Sequence, residues 1–169
     1  MTSVEVREAV DRDRPGILQV HERAFPTSLE ARLVERLWAA NAVVASVVAV
    51  EDDLVVGHAL FSGARLGVPS GEIKVGALGP VGVLPEWQGR GVGGKLIRFG
   101  LDACRDAGMP GVIVLGHPDY YPRFGFVRAD TWSIRCEFDA PPGAFMIAWF
   151  AAPVLGPGLA KYNAEFSRL

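Results

Sequence analysis

Val81-Gly82-Val83-Leu84-Pro85-Glu86-Trp87-Gln88-Gly89-Arg90-Gly91-Val92-Gly93-Gly94-Lys95 is the stretch around which this 169-residue chain is organised. An apolar, strand-like run from Ala77 to Leu84 enters a short polar turn, the turn becomes a glycine cluster, and the cluster opens a helix. Leu96, Ile97, Leu101, Cys104 and Ala107 recur at helical spacing on one face, while Lys95, Arg98, Asp102 and Arg105 take the other. Gly108 and Pro110 end the helix. Backbone N–H groups at a helix start have no intrahelical acceptor, and the helix dipole adds positive potential there. Glycines let a bulky anion reach the backbone, and Arg90 and Lys95 add full charges. The expectation is a phosphate-binding loop. Four glycines between Gly89 and Gly94 are more than a tight strand–helix turn requires.

Three phosphate-binding patterns overlap here. Gly89-x-Gly91-x-x-Gly94 fits the dinucleotide fingerprint, with Val112 to Leu115 as a following strand and Asp119 beyond it. That fingerprint belongs directly after its first strand, however. Here Pro85 to Gln88 intervene, and no further strand–helix units follow Asp119. Gly89-x-x-x-x-Gly94-Lys95 fits most of a P-loop, but Leu96 stands where Ser or Thr must hold magnesium. Gln88-x-x-Gly91-x-Gly93, after a strand and at a helix start, fits the third pattern without a defect.

That third pattern resembles the acetyl-CoA loop of the GNAT N-acetyltransferase superfamily. A second segment, Leu115-Gly116-His117-Pro118-Asp119-Tyr120-Tyr121-Pro122-Arg123-Phe124-Gly125-Phe126, resembles the GNAT segment with a tyrosine four residues before a Gly-Phe pair. Both are closest to the YhbS-like group, and the resemblance runs from about Val4 to Phe126.

The rest of the chain agrees with one domain spanning residues 1–169. Half of its residues are hydrophobic, enough for a single buried core. A formal net charge of −2 argues against generic nucleic-acid or anionic-membrane binding. There is no signal-peptide core and no apolar run of membrane-spanning length, so a cytoplasmic protein is expected. Cys104 and Cys136 have no metal-ligand spacing and read as free thiols.

Val4 to Arg7 reads as a strand. Asp11 or Asp13 can cap a helix with Pro15 in its first turn and Ile17, Leu18, His21, Ala24 and Phe25 on its buried stripe. Thr27-x-x-Glu30 is a capping box for a second helix, faced by Leu29, Leu33, Leu37 and Trp38. Ala42 to Val50, Leu54 to Leu66 and Glu72 to Leu84 form a meander. Val112 to Leu115 follows the main helix as a parallel strand. Thr131 to Phe138 and Phe145 to Ala152 are two closing strands, and Gly156 to Leu169 reads as a loose tail. Phe145 to Ala152 suits either a core strand or pairing between subunits, in a monomer or a homodimer. The expected fold is α/β (a mixed α+β sheet) in the order β-α-α-β-β-β-α-β-α-β-β, with helices on both faces. The GNAT resemblance implies the same order, with the sheet mostly antiparallel and splayed.

The resemblance further implies that the strand before the loop and the next parallel strand splay apart, and that the pantetheine arm of acetyl-CoA pairs with the freed edge. The implied cofactor-binding set is Val81, Gly82, Val83, Gln88, Gly89, Arg90, Gly91, Val92, Gly93, Gly94 and Lys95, with Gly82 offering no side chain to obstruct the cofactor. The implied reaction is direct attack of an amine on the thioester, without metal. Tyr121 is the family-matched general acid, and Tyr120 is the ring expected to pack or to line the substrate pocket. His117, at the end of the second splayed strand, is a candidate base. His58, Glu22, Glu72 and Asp119 remain open as alternatives. A non-catalytic sensor of CoA or a nucleotide is the competing class, and a dinucleotide oxidoreductase the weaker third. Neither helix carries the acidic cluster that a polyamine or aminoglycoside acceptor calls for. The segment Phe25 to Leu37 is expected to line the acceptor pocket.

Overall fold

Along the computed structural model, which describes residues 3–168, helices and strands follow the expected order as far as the fifth strand. β1 (Glu5–Glu8) precedes α1 (Arg14–Ala24) and α2 (Leu29–Ala39). β2 (Val43–Glu51), β3 (Leu54–Val68) and β4 (Gly71–Val83) form the antiparallel meander. α3 (Val92–Asp106) crosses to β5 (Gly111–Leu115), which pairs parallel to β4. β6 (Val127–Arg128), β7 (Ile134–Cys136), β8 (Phe145–Trp149) and β9 (Gly158–Lys161) complete a nine-stranded mixed sheet. Its path is β1-β2-β3-β4-β5-β8-β6, with β9 joined to β3 and β7.

The helix expected after β5 is only a 3-10 turn, Tyr121–Phe124. Gly125, at φ +95, turns the backbone left-handed and stops it. The strand expected over 131–138 shrinks to β7, because its first residues close the 3-10 turn Ala129–Trp132. β8 lies between β5 and β6 with both edges paired, so it is a core strand. The expected loose tail is ordered up to Arg168: β9 takes the edge of β3 beyond the end of β2, and a 3-10 turn, Ala164–Arg168, packs on α2. Leu169 lies outside the described residues. A four-residue strand with no alternation leaves little trace in a sequence. What specifies it is the length of β3.

The two helical layers can be told apart at one register step. A Cβ built on Gly82 would run into Val20 and His21 of α1. A Cβ built on Gly57, beside Gly82's partner His58, would meet Val92 and Leu96 of α3. Neighbouring residues of a strand point to opposite faces, so α1 and α3 cover opposite sides of the sheet. α2 packs against α1. The α1 stripe buries Ile17, Val20 and His21. Asp13 is the N-cap residue of α1, but its side chain makes no capping bond to the helix. Its carboxylate accepts from the Val10 N–H at 2.8 Å and from both Arg7 guanidinium nitrogens, at 2.7 and 3.0 Å. The Thr27–Glu30 capping box does not close either. Ser28 is the N-cap of α2, and Thr27 Oγ1 accepts from the Leu29 N–H at 3.3 Å.

Between α1 and the sheet lies a fully buried polar pair. His21 Nε2 sits 2.8 Å from His58 Nδ1, and His58 Nε2 sits 2.8 Å from Ser46 Oγ. Burial pushes the His21 imidazole down to about 4, and burial with the His21 charge pushes His58 well below the usual histidine range. Both are therefore neutral in the fold. The unfolded chain takes up a proton near pH 6.5, but folded His21 only near 4. Stability is thus complete above pH 6.5 and falls as pH drops through that window, by roughly 3 kcal/mol for His21 alone. Urea unfolding at pH 7, 5.5 and 4.5 checks this. A flat profile would mean that water or a counter-charge reaches the pair.

Candidate active site

β4 and β5 pair only at Gly76–Val112, Ala77–Ile113 and Leu78–Val114. Beyond Leu78, β4 continues to Val83 along β3 alone. The Leu84 N–H donates to Val56 O at 2.9 Å, toward β3. Strand alternation then turns the N–H and C=O of Gly82 toward β3 and those of Val81 and Val83 toward the open side. Gln88 Nε2 donates to the Val83 carbonyl on that side at 3.0 Å. The space that a Gly82 side chain would fill belongs to His21, so this glycine serves helix packing rather than clearance at the open edge.

The glycine loop follows. Gly89 and Gly91 take positive φ, +76 and +80, which lets the chain turn sharply into α3 with Gly91 as the N-cap. No side chain caps this helix, so its first N–H groups face outward. They open on a cleft of about 450 Å³. Of the expected residues, Val83, Gln88, Gly89, Gly91, Val92, Gly93 and Gly94 line the cleft, and Val81, Gly82, Arg90 and Lys95 do not. The Arg90 guanidinium lies over the Trp87 ring instead, at 4.8 Å from its centre. The cations at the cleft are Arg98, 4.9 Å over Phe124, and Arg123, 4.7 Å over Tyr120. Arg98 was legible: it stands seven residues after Gly91 and four after Gly94, hence on one helical stripe with them. Arg123 depends on the turn after β5 and leaves no such trace. A two-pronged ion pair from Arg23 of α1 to Glu86, at 2.8 and 2.9 Å, ties down the turn that carries Trp87 and Gln88.

The two tyrosines divide. Tyr120 lines the cleft, its hydroxyl 3.3 Å from where a Gly93 Cβ would stand. Tyr121 packs edge-on against Phe126 and lies over Gly116, at the end of β5, where a Cβ would collide with its ring. Burial, with a smaller contribution from Tyr120, raises the Tyr121 phenol above its usual value. His117 is exposed and borders a separate depression with Asp139 and Pro141. His58 is sealed in the core, and Glu72 pairs with Arg65.

On the α2 side of the divergence is a second cavity, of about 320 Å³. Leu78, Gly79, Pro80 and Leu115 border it where the strands part, and Glu30, Leu33, Phe138, Tyr162 and Phe166 complete it. Among the described residues no group of three or more His, Cys, Asp or Glu is arranged to hold a metal, and no helix is long and apolar enough to cross a membrane.

This geometry has relatives. Residues 5–129 match the acetyltransferase (GNAT) domain. The chain belongs to the GNAT acetyltransferase family. The acetyltransferase is 30% identical over 166 residues to the uncharacterized N-acetyltransferase YhbS of Escherichia coli (strain K12), covering 96% of this chain and 98% of YhbS. The crystal structure of E. coli YhbS in complex with CoA superimposes with a TM-score of 0.90 at 29% identity, over 99% of this chain and 94% of that one. A GNAT family acetyltransferase from Brucella melitensis, solved in complex with acetyl-CoA, gives 0.80 at 36% identity, over 98% and 99%.

CoA, the ligand in the YhbS crystal, is the probe for the cleft. Gly93→Asp adds a side chain and a negative charge at the helix start, and is expected to remove calorimetrically detectable CoA binding while the protein stays folded. Arg98→Ala and Arg123→Ala should each weaken CoA binding, more at low salt than at high salt, because exposed cations are screened. Arg90→Ala should change it least. Wild-type affinity in folded Gly93→Asp would remove the cleft assignment.

Proposed function

We propose that the protein transfers the acetyl group of acetyl-CoA to a primary amine by direct attack, with Tyr121 as the general acid. The observation that carries the proposal is the open edge of β4 ending at a helix N-terminus with no side chain over it. The outward groups of Val81 suit the amides of a pantetheine arm, the N–H groups of α3 suit a pyrophosphate, and Arg98 and Arg123 suit its charge. The complexes of the E. coli and Brucella relatives with CoA and acetyl-CoA support the same donor here.

The residues then act as follows. Holding both reactants aligned lowers the barrier by up to roughly 7–11 kcal/mol. The Val83 N–H, turned to the open side, donates to the oxygen that becomes negative as the amine nitrogen bonds to the carbonyl carbon. The carbon–sulfur bond breaks, its electron pair goes to sulfur, and the Tyr121 hydroxyl supplies the proton that the thiolate takes up. The proton lost by the amine goes to solvent, which also restores the phenol. Burial keeps Tyr121 protonated past its usual value, so the donor is loaded at working pH. The free thiols Cys104 and Cys136 suit a cytoplasmic setting. A solvent-facing His117 takes no part in this reading.

Tyr121→Phe should lower kcat by about 10²–10⁴ and leave the KM for acetyl-CoA nearly unchanged, since the hydroxyl acts only as the thiolate departs. Tyr120→Phe should keep most of kcat and raise that KM instead. Because the Tyr121 phenol is raised, any alkaline loss of rate due to it should lie above pH 10. Rates followed by thiol release decide the point. Full activity in Tyr121→Phe would leave the thiolate to solvent.

A further inference from the structure

We infer that the cavity on the α2 side of the strand divergence receives the acceptor, and that this acceptor is a primary amine carried on an apolar body, with Glu30 as its anchor. The inference rests on the acetyltransferase reading of the opposite cleft. Leu78, Gly79 and Pro80 border this cavity and lead directly into the open edge at Val81, while Leu115 closes the other strand. A group seated there faces the divergence from the side opposite the glycine loop.

The chemistry of the walls selects the class. Phe138, Tyr162 and Phe166 form a continuous aromatic wall, with ring centres 5.6 and 4.9 Å apart, and Leu33 and Leu115 face it. Two polar atoms stand among them, Glu30 Oε2 and the Tyr162 hydroxyl. Both are buried and neither has a hydrogen-bond partner. A buried oxygen without a donor is destabilising, and more so when it carries charge. Glu30 also escapes the helix cap that its sequence position suggests: Ser28 is the N-cap of α2, and the carboxylate is left unused. An ammonium brings three N–H donors and the charge that a carboxylate offsets. One carboxylate between apolar walls serves one ammonium. A polyamine or an aminoglycoside brings further charges and hydroxyls that these walls cannot pair. The volume, about 320 Å³, is that of a small-molecule site.

The test uses the intact protein. CoA is titrated first, and 2-phenylethylamine is then titrated into the CoA-loaded protein. Turnover with acetyl-CoA is compared for 2-phenylethylamine, n-hexylamine, spermidine and kanamycin. The two apolar amines are expected to exceed the polar ones in kcat/KM by about tenfold or more. Glu30→Gln should raise the KM for 2-phenylethylamine by about 10–100-fold, with the KM for acetyl-CoA unchanged and the melting temperature no lower. Tyr162→Phe should raise it by about tenfold or less. CoA binding without 2-phenylethylamine binding overturns the acceptor inference and leaves the donor reading standing. So does a preference for spermidine or kanamycin, or an unchanged amine KM in Glu30→Gln. Failure to bind CoA overturns both.

Discussion

Past the Leu78–Val114 pair, β4 runs on without its neighbour, and the backbone groups of Val81 and Val83 stand on an open edge. Backbone N–H and C=O groups in a folded protein find partners in secondary structure, side chains, water or a ligand. Here one of them is met by the Gln88 amide. The rest of the molecule is arranged around this edge. The meander holds β4 from one side through its long pairing with β3. β8 and β6 hold β5 from the other. α1 and α3 clamp the opposite faces of the sheet one register step apart. The nine-stranded sheet parts between β4 and β5, and both cavities open on that gap.

The two sides of the gap carry opposite charge. On the α3 side are helix N–H groups and the guanidinium groups of Arg98 and Arg123, each held over an aromatic ring. On the α2 side is a carboxylate oxygen without a partner among aromatic and aliphatic walls. On the proposed reading, a polyanionic donor and a cationic acceptor are thereby sorted before they meet. Pre-positioned charges and dipoles do not have to reorganise when charge moves in a reaction, which is where such sites gain most.

The donor side was legible because its chemistry is written in consecutive residues. Gln88-x-x-Gly91-x-Gly93 after an apolar run specifies strand, turn and helix start by local rules alone, and the tyrosine four before Gly125 marks the second strand's end. What local rules missed was orientation. Arg90 and Lys95 carry the charge in the loop's sequence, yet the left-handed turn at Gly91 sends Arg90 onto Trp87, and Arg98, two helical turns on, reaches the cleft. Gly82 looked like clearance for a ligand, but the face it presents to His21 is set by the register against His58, which no single strand reveals. The Thr27–Glu30 pair obeyed a capping pattern that the helix did not use. The helix expected after β5 lacked only the knowledge that Gly125 would adopt positive φ.

The cavity on the α2 side was legible least, and its location says why. The family match ends at residue 129, and Phe138, Tyr162 and Phe166 all lie beyond it. These residues come from the strand-to-loop junction after β7 and from the segments either side of the Asn163 turn. Their positions are fixed by pairing at a distance, with β9 riding on β3 and Glu137 accepting from the Tyr162 N–H at 2.7 Å. The glycine loop and helix start of the donor cleft come from one contiguous stretch and cannot vary without losing the helix start. The aromatic wall hangs on a short strand and a 3-10 turn, and can change without disturbing the glycine loop. On the proposed reading, selectivity for the amine is separable from the chemistry of transfer. That separation follows from sheet topology: the chain's last strand reaches β3 on the edge that β2 leaves free, and so brings its aromatic residues to the far side of the same gap.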